Sequence, residues 1–202
     1  MTTSGGRYLT RRHALLGAGA AAASVATSCG ADNELTRLGR GIEQVMLTDV
    51  AGATVRWGDL RGVPRALFFG FTNCPVICPV TVYELTAASD RIGSRARVMR
   101  IDFVTVDPER DTPDRMRAYF SGFGPQVRAF TGAPEMLQRV ARAFEITANR
   151  VALENGSYTM DHTATVFLLD RGGRVADVLA YGSEAAVIEA RIVDLMDGHE
   201  AT

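Results

Sequence analysis

The sequence predicts an α/β fold, a thioredoxin-like sandwich with an added N-terminal β-hairpin, on three observations. An apolar run at residues 66–71 stops at a turn carrying two cysteines and restarts as a helical segment. Strand-like and helix-like segments alternate through the first half of the domain, which implies βαβ crossovers and parallel strands. The second half closes with antiparallel strands around tight turns and one terminal helix. A cysteine turn between the first core strand and its helix, followed by this order, points to the thioredoxin-like class.

The elements follow in order. Residues 45–49 and 53–57 read as a short hairpin across Val50-Ala51-Gly52, and Asp59-Leu60-Arg61-Gly62 turns the chain into the buried strand. Residues 80–92 form a helix without internal Gly or Pro, and Pro79 is expected at its first position with Cys78 as the cap. Residues 98–106 give a second long strand. Thr112 followed by Pro113 and Asp114 is a helix start, so residues 113–120 are helical. A short strand at 127–131 precedes a helix from Pro134 to about Phe144, with Leu137, Val140, Ala141 and Phe144 at helical spacing. Residues 147–153 and 158–169 read as two antiparallel strands around Glu154-Asn155-Gly156. The turn Asp170-Arg171-Gly172-Gly173 leads into a strand at 174–181, and Ser183 is expected to cap the last helix, 183–196.

With 202 residues and 47% hydrophobic content, the chain can build one ordinary core and leave a tail. A net charge of −1 argues against a nucleic-acid partner, which requires a basic surface. All basic residues are arginine, so Schiff-base and phosphate-loop lysines are out of consideration. No acidic residue precedes Asp32, and Arg7, Arg11 and Arg12 stand before an alanine-rich apolar run at 14–26. That run is short for a bilayer span and suits a signal-peptide core. Thr10-Arg11-Arg12-His13-Ala14-Leu15-Leu16 resembles a twin-arginine export signal, and Ala26-Thr27-Ser28-Cys29 resembles a lipoprotein cleavage box with Ala26 in place of the usual leucine. The expected organisation is an export signal at 1–29, with either lipidation at Cys29 or ordinary signal cleavage at the small residues Ala26-Thr27-Ser28, a polar linker at 30–44, and the folded domain at 45–202. The expected location is the cell envelope, at the outer face of the cytoplasmic membrane or in the periplasm.

The folded domain keeps only the pair Cys74 and Cys78. Their i, i+4 spacing puts them roughly 6 Å apart in a helical turn, within reach of one metal ion or one disulfide. A helix N-terminus beside them favours thiolate over thiol. A structural disulfide, or two small buried apolar residues, is the alternative. Of the three histidines, His13 lies in the leader and His199 in the C-terminal tail, and His162 stands at the mouth of the apolar strand. In a thioredoxin-like topology that strand start faces the cysteine turn. Two thiolates and one imidazole form a soft three-coordinate set, suited to Cu(I) and able to hold Cu(II) with an added oxygen ligand. Structural zinc usually takes a fourth protein ligand. Asp161 points to the opposite strand face and is expected to support the site, not to ligate.

Three motifs carry a family resemblance. Gly70-Phe71-Thr72-Asn73-Cys74-Pro75-Val76-Ile77-Cys78-Pro79, Val106-Asp107-Pro108-Glu109-Arg110-Asp111-Thr112-Pro113 and Tyr158-Thr159-Met160-Asp161-His162-Thr163 resemble the Sco/SenC family, in the family's order and across nearly the whole domain. The resemblance implies a membrane-associated copper protein with Cys74, Cys78 and His162 as metal ligands. It further implies a role in assembling the dinuclear copper centre of cytochrome c oxidase, by delivering copper, by reducing the acceptor's cysteines, or both. The implied partner is the copper-centre subunit of the oxidase or another copper acceptor. It also implies that Asp107, Arg110 and Asp111 form an ion-pair network shaping the copper mouth. Two positions depart from the family pattern: Val76 stands where an acidic residue is common, and Thr163 replaces the usual serine.

Two other functions compete. A cell-envelope thiol-disulfide oxidoreductase would use Cys74 and Cys78 as its catalytic redox pair. A general reductase of this kind carries a cis-proline opposite its cysteines and two residues between them; this chain has no proline beyond Pro134 and has three intervening residues. A thiol peroxidase is the third option, because Phe71-Thr72-Asn73-Cys74-Pro75 resembles a peroxidatic turn, but it leaves His162 without a task.

Overall fold

Six consecutive residues without alternation, Arg-Ala-Leu-Phe-Phe-Gly, can be buried only in the middle of a sheet covered on both faces. In the computed structural model, which describes residues 1–2 and 34–198, this strand is β3 (Arg65–Gly70), and every residue in it is buried. It pairs in parallel with β4 (Arg100–Thr105), Phe68 opposite Phe103, and antiparallel with β8 (Val166–Leu169), Phe68 opposite Val166. β4 pairs in parallel with β5 (Val127–Thr131), and β8 pairs antiparallel with β9 (Val175–Leu179). The expected hairpin, β1 (Met46–Asp49) and β2 (Thr54–Arg56), extends the same sheet beyond β5, giving the order β2-β1-β5-β4-β3-β8-β9.

Alternate side chains feed two cores. Ala66, Phe68, Ile101, Phe103 and Leu168 face one side, with α2 (Ile77–Ile92), α3 (Pro113–Phe120) and α5 (Ala185–Asp197) packed there through Val82, Met116 and Ile192. Leu67, Phe69, Val104 and Phe167 face the other, covered by α4 (Pro134–Ala143) through Leu137 and Val140, and by Trp57. This two-sided sheet with crossover helices α2 and α3 is the thioredoxin-like sandwich predicted from the sequence.

Several boundaries differ from expectation, each for a physical reason. α2 begins at Ile77, two residues earlier than expected, with Val76 as a cap that offers no side-chain hydrogen bond. Pro79 is therefore the third helical residue, still within the first turn, whose N–H groups lack intrahelical acceptors. α5 is preceded by Glu184, not capped by Ser183, whose hydroxyl donates to the Ala180 carbonyl. The run 158–169 is two strands. Its polar half, β7 (Tyr158–His162), pairs with β6 (Ala148–Ala152) in a separate two-stranded sheet, while the fully buried half, β8, enters the main sheet. A polar strand cannot lie between two apolar layers, so the chain breaks at 163–165. The residues read as linker also take part in the fold from position 34 onward. A short helix, α1 (Glu34–Arg37), leads into Leu38, which packs with Leu35 against the second core, and Ile42 is buried. The predicted export signal with Cys29 lies in residues 3–33, outside the described ones. No helix among the described residues is long and apolar enough to cross a membrane.

Arg65, which opens the central strand, is completely buried, a feature that the apolar pattern does not announce. Asp102 pairs with it at 3.4 Å and accepts two hydrogen bonds from Arg128 at 2.8 Å. Burial pushes the Arg65 guanidinium below its ordinary range, and the Asp102 carboxylate opposes that shift.

α4 ends in a Schellman turn. The Ile146 N–H donates to the Ala141 carbonyl at 2.8 Å and the Glu145 N–H to the Arg142 carbonyl at 3.1 Å. Glu145 sits at φ 54°, where glycine is at home. Glu145→Gly is expected to raise the unfolding free energy by about 0.5–1 kcal/mol, read from the urea midpoint at unchanged m-value.

Candidate metal centre

The cysteine turn is held in shape before any metal is considered. Beyond β3 the chain turns at 71–74, with the Cys74 N–H donating to the Phe71 carbonyl at 3.2 Å. Asp111, fully buried, accepts from the Thr72 N–H at 3.0 Å, the Thr72 hydroxyl at 2.5 Å and the Thr105 hydroxyl at 2.6 Å. Arg115, in the first turn of α3, donates to the Thr72 hydroxyl at 2.9 Å and to Asn73 Oδ1 at 3.0 Å. Thr112 caps that helix as expected, accepting from the Arg115 N–H at 3.3 Å. The acidic loop and α3 thus clamp the cysteine turn from below.

Cys74 stands just ahead of α2 and Cys78 lies within its first turn. The Cys78 N–H donates to Cys74 Sγ at 3.4 Å, so a free amide of the helix start is spent on the outer sulfur. Cys78 has no exposed surface. Its sulfur fits only because residue 70 is glycine. A Cβ there would stand 2.9 Å from Cys78 Sγ and 2.8 Å from the Phe103 ring. Both cysteines are free thiols in this structure.

His162 closes β7 and reaches the inner sulfur, with Nε2 3.7 Å from Cys78 Sγ. Nδ1 lies 3.0 Å from the Thr163 carbonyl, an acceptor only, so the ring proton sits on Nδ1 and the Nε2 lone pair faces the sulfur. Phe71 and Phe68 meet the imidazole edge-on at 5.7 and 6.2 Å. Burial in this aromatic surround lowers the His162 pKa, and the same desolvation drives the Cys78 thiol strongly upward. A cleft of about 270 Å³ opens over the site, lined by Cys74, Val76, Ile77, Thr159, Met160 and His162 among others. Val76 lies at its rim and is half exposed.

The hairpin that carries His162 is tied to the body at its other end. Arg110 pairs with Asp107 and donates to the Tyr158 carbonyl at 2.9 Å, and the Tyr158 hydroxyl donates to Asp107 at 2.8 Å. The guanidinium of Arg110 lies 3.7 Å from the Tyr158 ring centre, and that of Arg150 lies 3.6 Å from it. The expected ion-pair network is therefore real for Asp107 and Arg110 but excludes Asp111, whose oxygens serve the threonines of the cysteine turn. Asp161 is exposed.

The fold thus brings all three predicted residues together: Cys78 touches His162, and Cys74 shares a cleft with the imidazole and an N–H contact with Cys78. They do not converge on one point, and no group of three His, Cys, Asp or Glu side chains does so among the described residues. The donor chemistry, two sulfurs and an imidazole nitrogen with its lone pair free, suits a soft ion such as Cu(I). Sequence reasoning missed Gly70, Arg115 and Tyr158 as parts that set this geometry, and it placed Asp111 in the ion-pair network, not beneath the cysteine turn. All four sit inside or beside the quoted motifs, but their roles depend on contacts across 6 to 51 residues.

Comparison with known proteins agrees with this picture. The SCO1/SenC family model matches residues 39–197. The SCO1 homolog 1 of Arabidopsis thaliana, a mitochondrial protein, is 36% identical over 119 residues, 58% of this chain and 36% of that one. A SCO2-like protein of Rickettsia prowazekii is 32% identical over 130 residues, 63% of either chain. The chain therefore matches between about a third and two thirds of the length of these relatives. Among solved structures, copper-bound ScoI of Bradyrhizobium japonicum superposes with a TM-score of 0.68 at 34% identity, covering 75% of this chain and 96% of that one. Copper-bound ScoI of Arabidopsis thaliana gives 0.72 at 29% identity, covering 76% and 96%.

Two outcomes follow from the site itself. Gly70→Ala is expected to destabilise the domain by about 1–3 kcal/mol in urea unfolding, through forced displacement of Cys78 or Phe103. For His162, the folded state binds its proton less readily than the unfolded chain, whose value is 6.5. The unfolded state therefore gains protons first as pH falls, and the metal-free domain loses stability below about pH 6.5. His162→Gln is expected to remove that part of the slope between about pH 7 and 5 when unfolding free energy is measured across pH.

Proposed function

The chain belongs to the SCO1/SenC family, and on that premise we propose that it is a copper carrier of the cell envelope. It holds copper through Cys74, Cys78 and His162 and passes it to the dinuclear copper centre of cytochrome c oxidase. The observation that supports this most directly is the contact between His162 Nε2 and Cys78 Sγ, 3.7 Å, across 84 residues of chain. The copper-bound state of the two structural relatives adds to it.

Loading exchanges protons for metal. Both thiols give up their protons as Cu(I) binds, while the imidazole, already neutral, gives up none. Release proceeds by ligand exchange. An acceptor thiolate enters the cleft and displaces Cys74, the outer sulfur, and a second donor then displaces His162 and Cys78. Val76 at the rim leaves that approach without an acidic side chain.

A reductase dedicated to one partner is the second reading, favoured by the Cys78 N–H contact on Cys74 Sγ. Cys74 thiolate would attack the partner's disulfide, one partner thiol would leave, and Cys78 would then displace the second as the Cys74–Cys78 disulfide forms. Two electrons pass to the partner in that sequence. Export through residues 1–29, with lipid attachment at Cys29, would set either chemistry outside the cytoplasm.

Cu(I) titration against a competing chelator tests the copper reading. The purified chain is expected to bind one Cu(I), and His162→Ala to weaken binding by at least about tenfold, since loss of groups that merely support a ligand already costs 10–100-fold. Equal affinity in the two proteins removes His162 as a ligand. Reduction of insulin at the rate of a general thioredoxin would favour the redox reading instead.

A further inference from the structure

β7 carries a soft sulfur beside His162. Met160 and His162 stand two residues apart, so they share one face of the strand, and the exposed Asp161 between them turns the other way. At the usual rise of a strand their Cα atoms are roughly 6.5 Å apart, close enough for two long side chains to meet on one ion. Met160 is partly buried and packs against the core cluster that contains Cys74 and Cys78. It lines the cleft of about 270 Å³ together with Cys74 and His162. It also lines a second cavity of about 250 Å³, shared with Leu137 and Gln138 of α4 and with Arg150. An unbranched side chain with three rotatable bonds and open space beside it can turn its thioether toward an ion in the cleft without disturbing the core.

We propose that the Met160 thioether is a further donor to Cu(I) at this site, joining His162 Nε2 and the two cysteine sulfurs. The inference rests on the copper reading of the proposed function. Thioether sulfur is among the ligands that select Cu(I), and being neutral it binds without releasing a proton and adds no charge to the cleft. In ligand exchange it keeps a third protein donor on the ion, beside Cys78 and His162, when an acceptor thiolate replaces Cys74.

Met160→Leu in the full chain tests it, because the substitution nearly conserves volume and removes the sulfur. Ag(I), a soft monovalent ion that undergoes no redox change here, serves as a probe beside Cu(I). Competition titration is expected to show both ions bound more weakly by about tenfold. In the chain labelled at its methionine methyl groups, one equivalent of Ag(I) is expected to shift the Met160 resonance, assigned by its absence from Met160→Leu. The resonance of the exposed Met46 is expected to stay in place. Both results together carry the assignment. An affinity loss with an unmoved Met160 resonance overturns it, since that pattern reports lost packing alone. Affinity kept in Met160→Leu but lost in His162→Ala also overturns it, and leaves the proposed function standing. If the parent chain takes up neither ion, the proposed function falls and this inference falls with it.

Discussion

A carboxylate without water around it sets the shape of the cysteine turn. Asp111 leaves the acidic loop after β4 and ends beneath β3, where Thr72 and Thr105 supply all three of its hydrogen bonds. A buried carboxylate with fewer donors would be strongly destabilising, so the ends of β3 and β4 and the loop between β4 and α3 are locked as one unit. Thr72 is shared, because its hydroxyl also accepts from Arg115 and links the acid to the helix. From that unit the positions of Cys74, of the α2 start and of Cys78 follow.

The imidazole arrives by a different route. β6 and β7 share no backbone pairing with the main sheet, so His162 is carried on an arm, not on the rigid frame. Arg110, Asp107 and Tyr158 hold the far end of β7, while Thr163 and Thr147 pair at the near end. The proposed carrier function would use this division. In that reading the sulfurs would keep their place, and the imidazole on its arm would leave when an acceptor claims the ion.

What the sequence reveals and what it hides divide along the same line. β3 is legible because an unbroken apolar run has one home in such a fold, and the start of α3 is legible because Thr112 and Pro113 act locally. The start of α2 is not, since Val76 caps it through backbone conformation alone. The division of 158–169 is hidden because β-propensity runs through both halves and only the layer above decides which half is buried. The ligands are legible as residue types in motifs. The contacts that place them are long-range: Asp111 to Thr72 spans 39 residues, and Arg115 to Asn73 spans 42. Arg65 is hidden for the same reason, since its partner Asp102 lies on the neighbouring strand.

Burial acts on the inner pair in opposite directions, and both directions keep the metal-free site neutral. It holds the Cys78 thiol protonated and the His162 imidazole unprotonated. Two thiolates, one neutral imidazole and a monovalent ion would leave a single negative charge in a nearly dry cleft. Such a charge is tolerable only where dipoles already point at it. The amide of Cys78 meets it at the Cys74 sulfur. A divalent ion would cancel the charge and need no such dipole. Two sulfurs and one imidazole are the kind of donor set that a soft ion such as Cu(I) prefers.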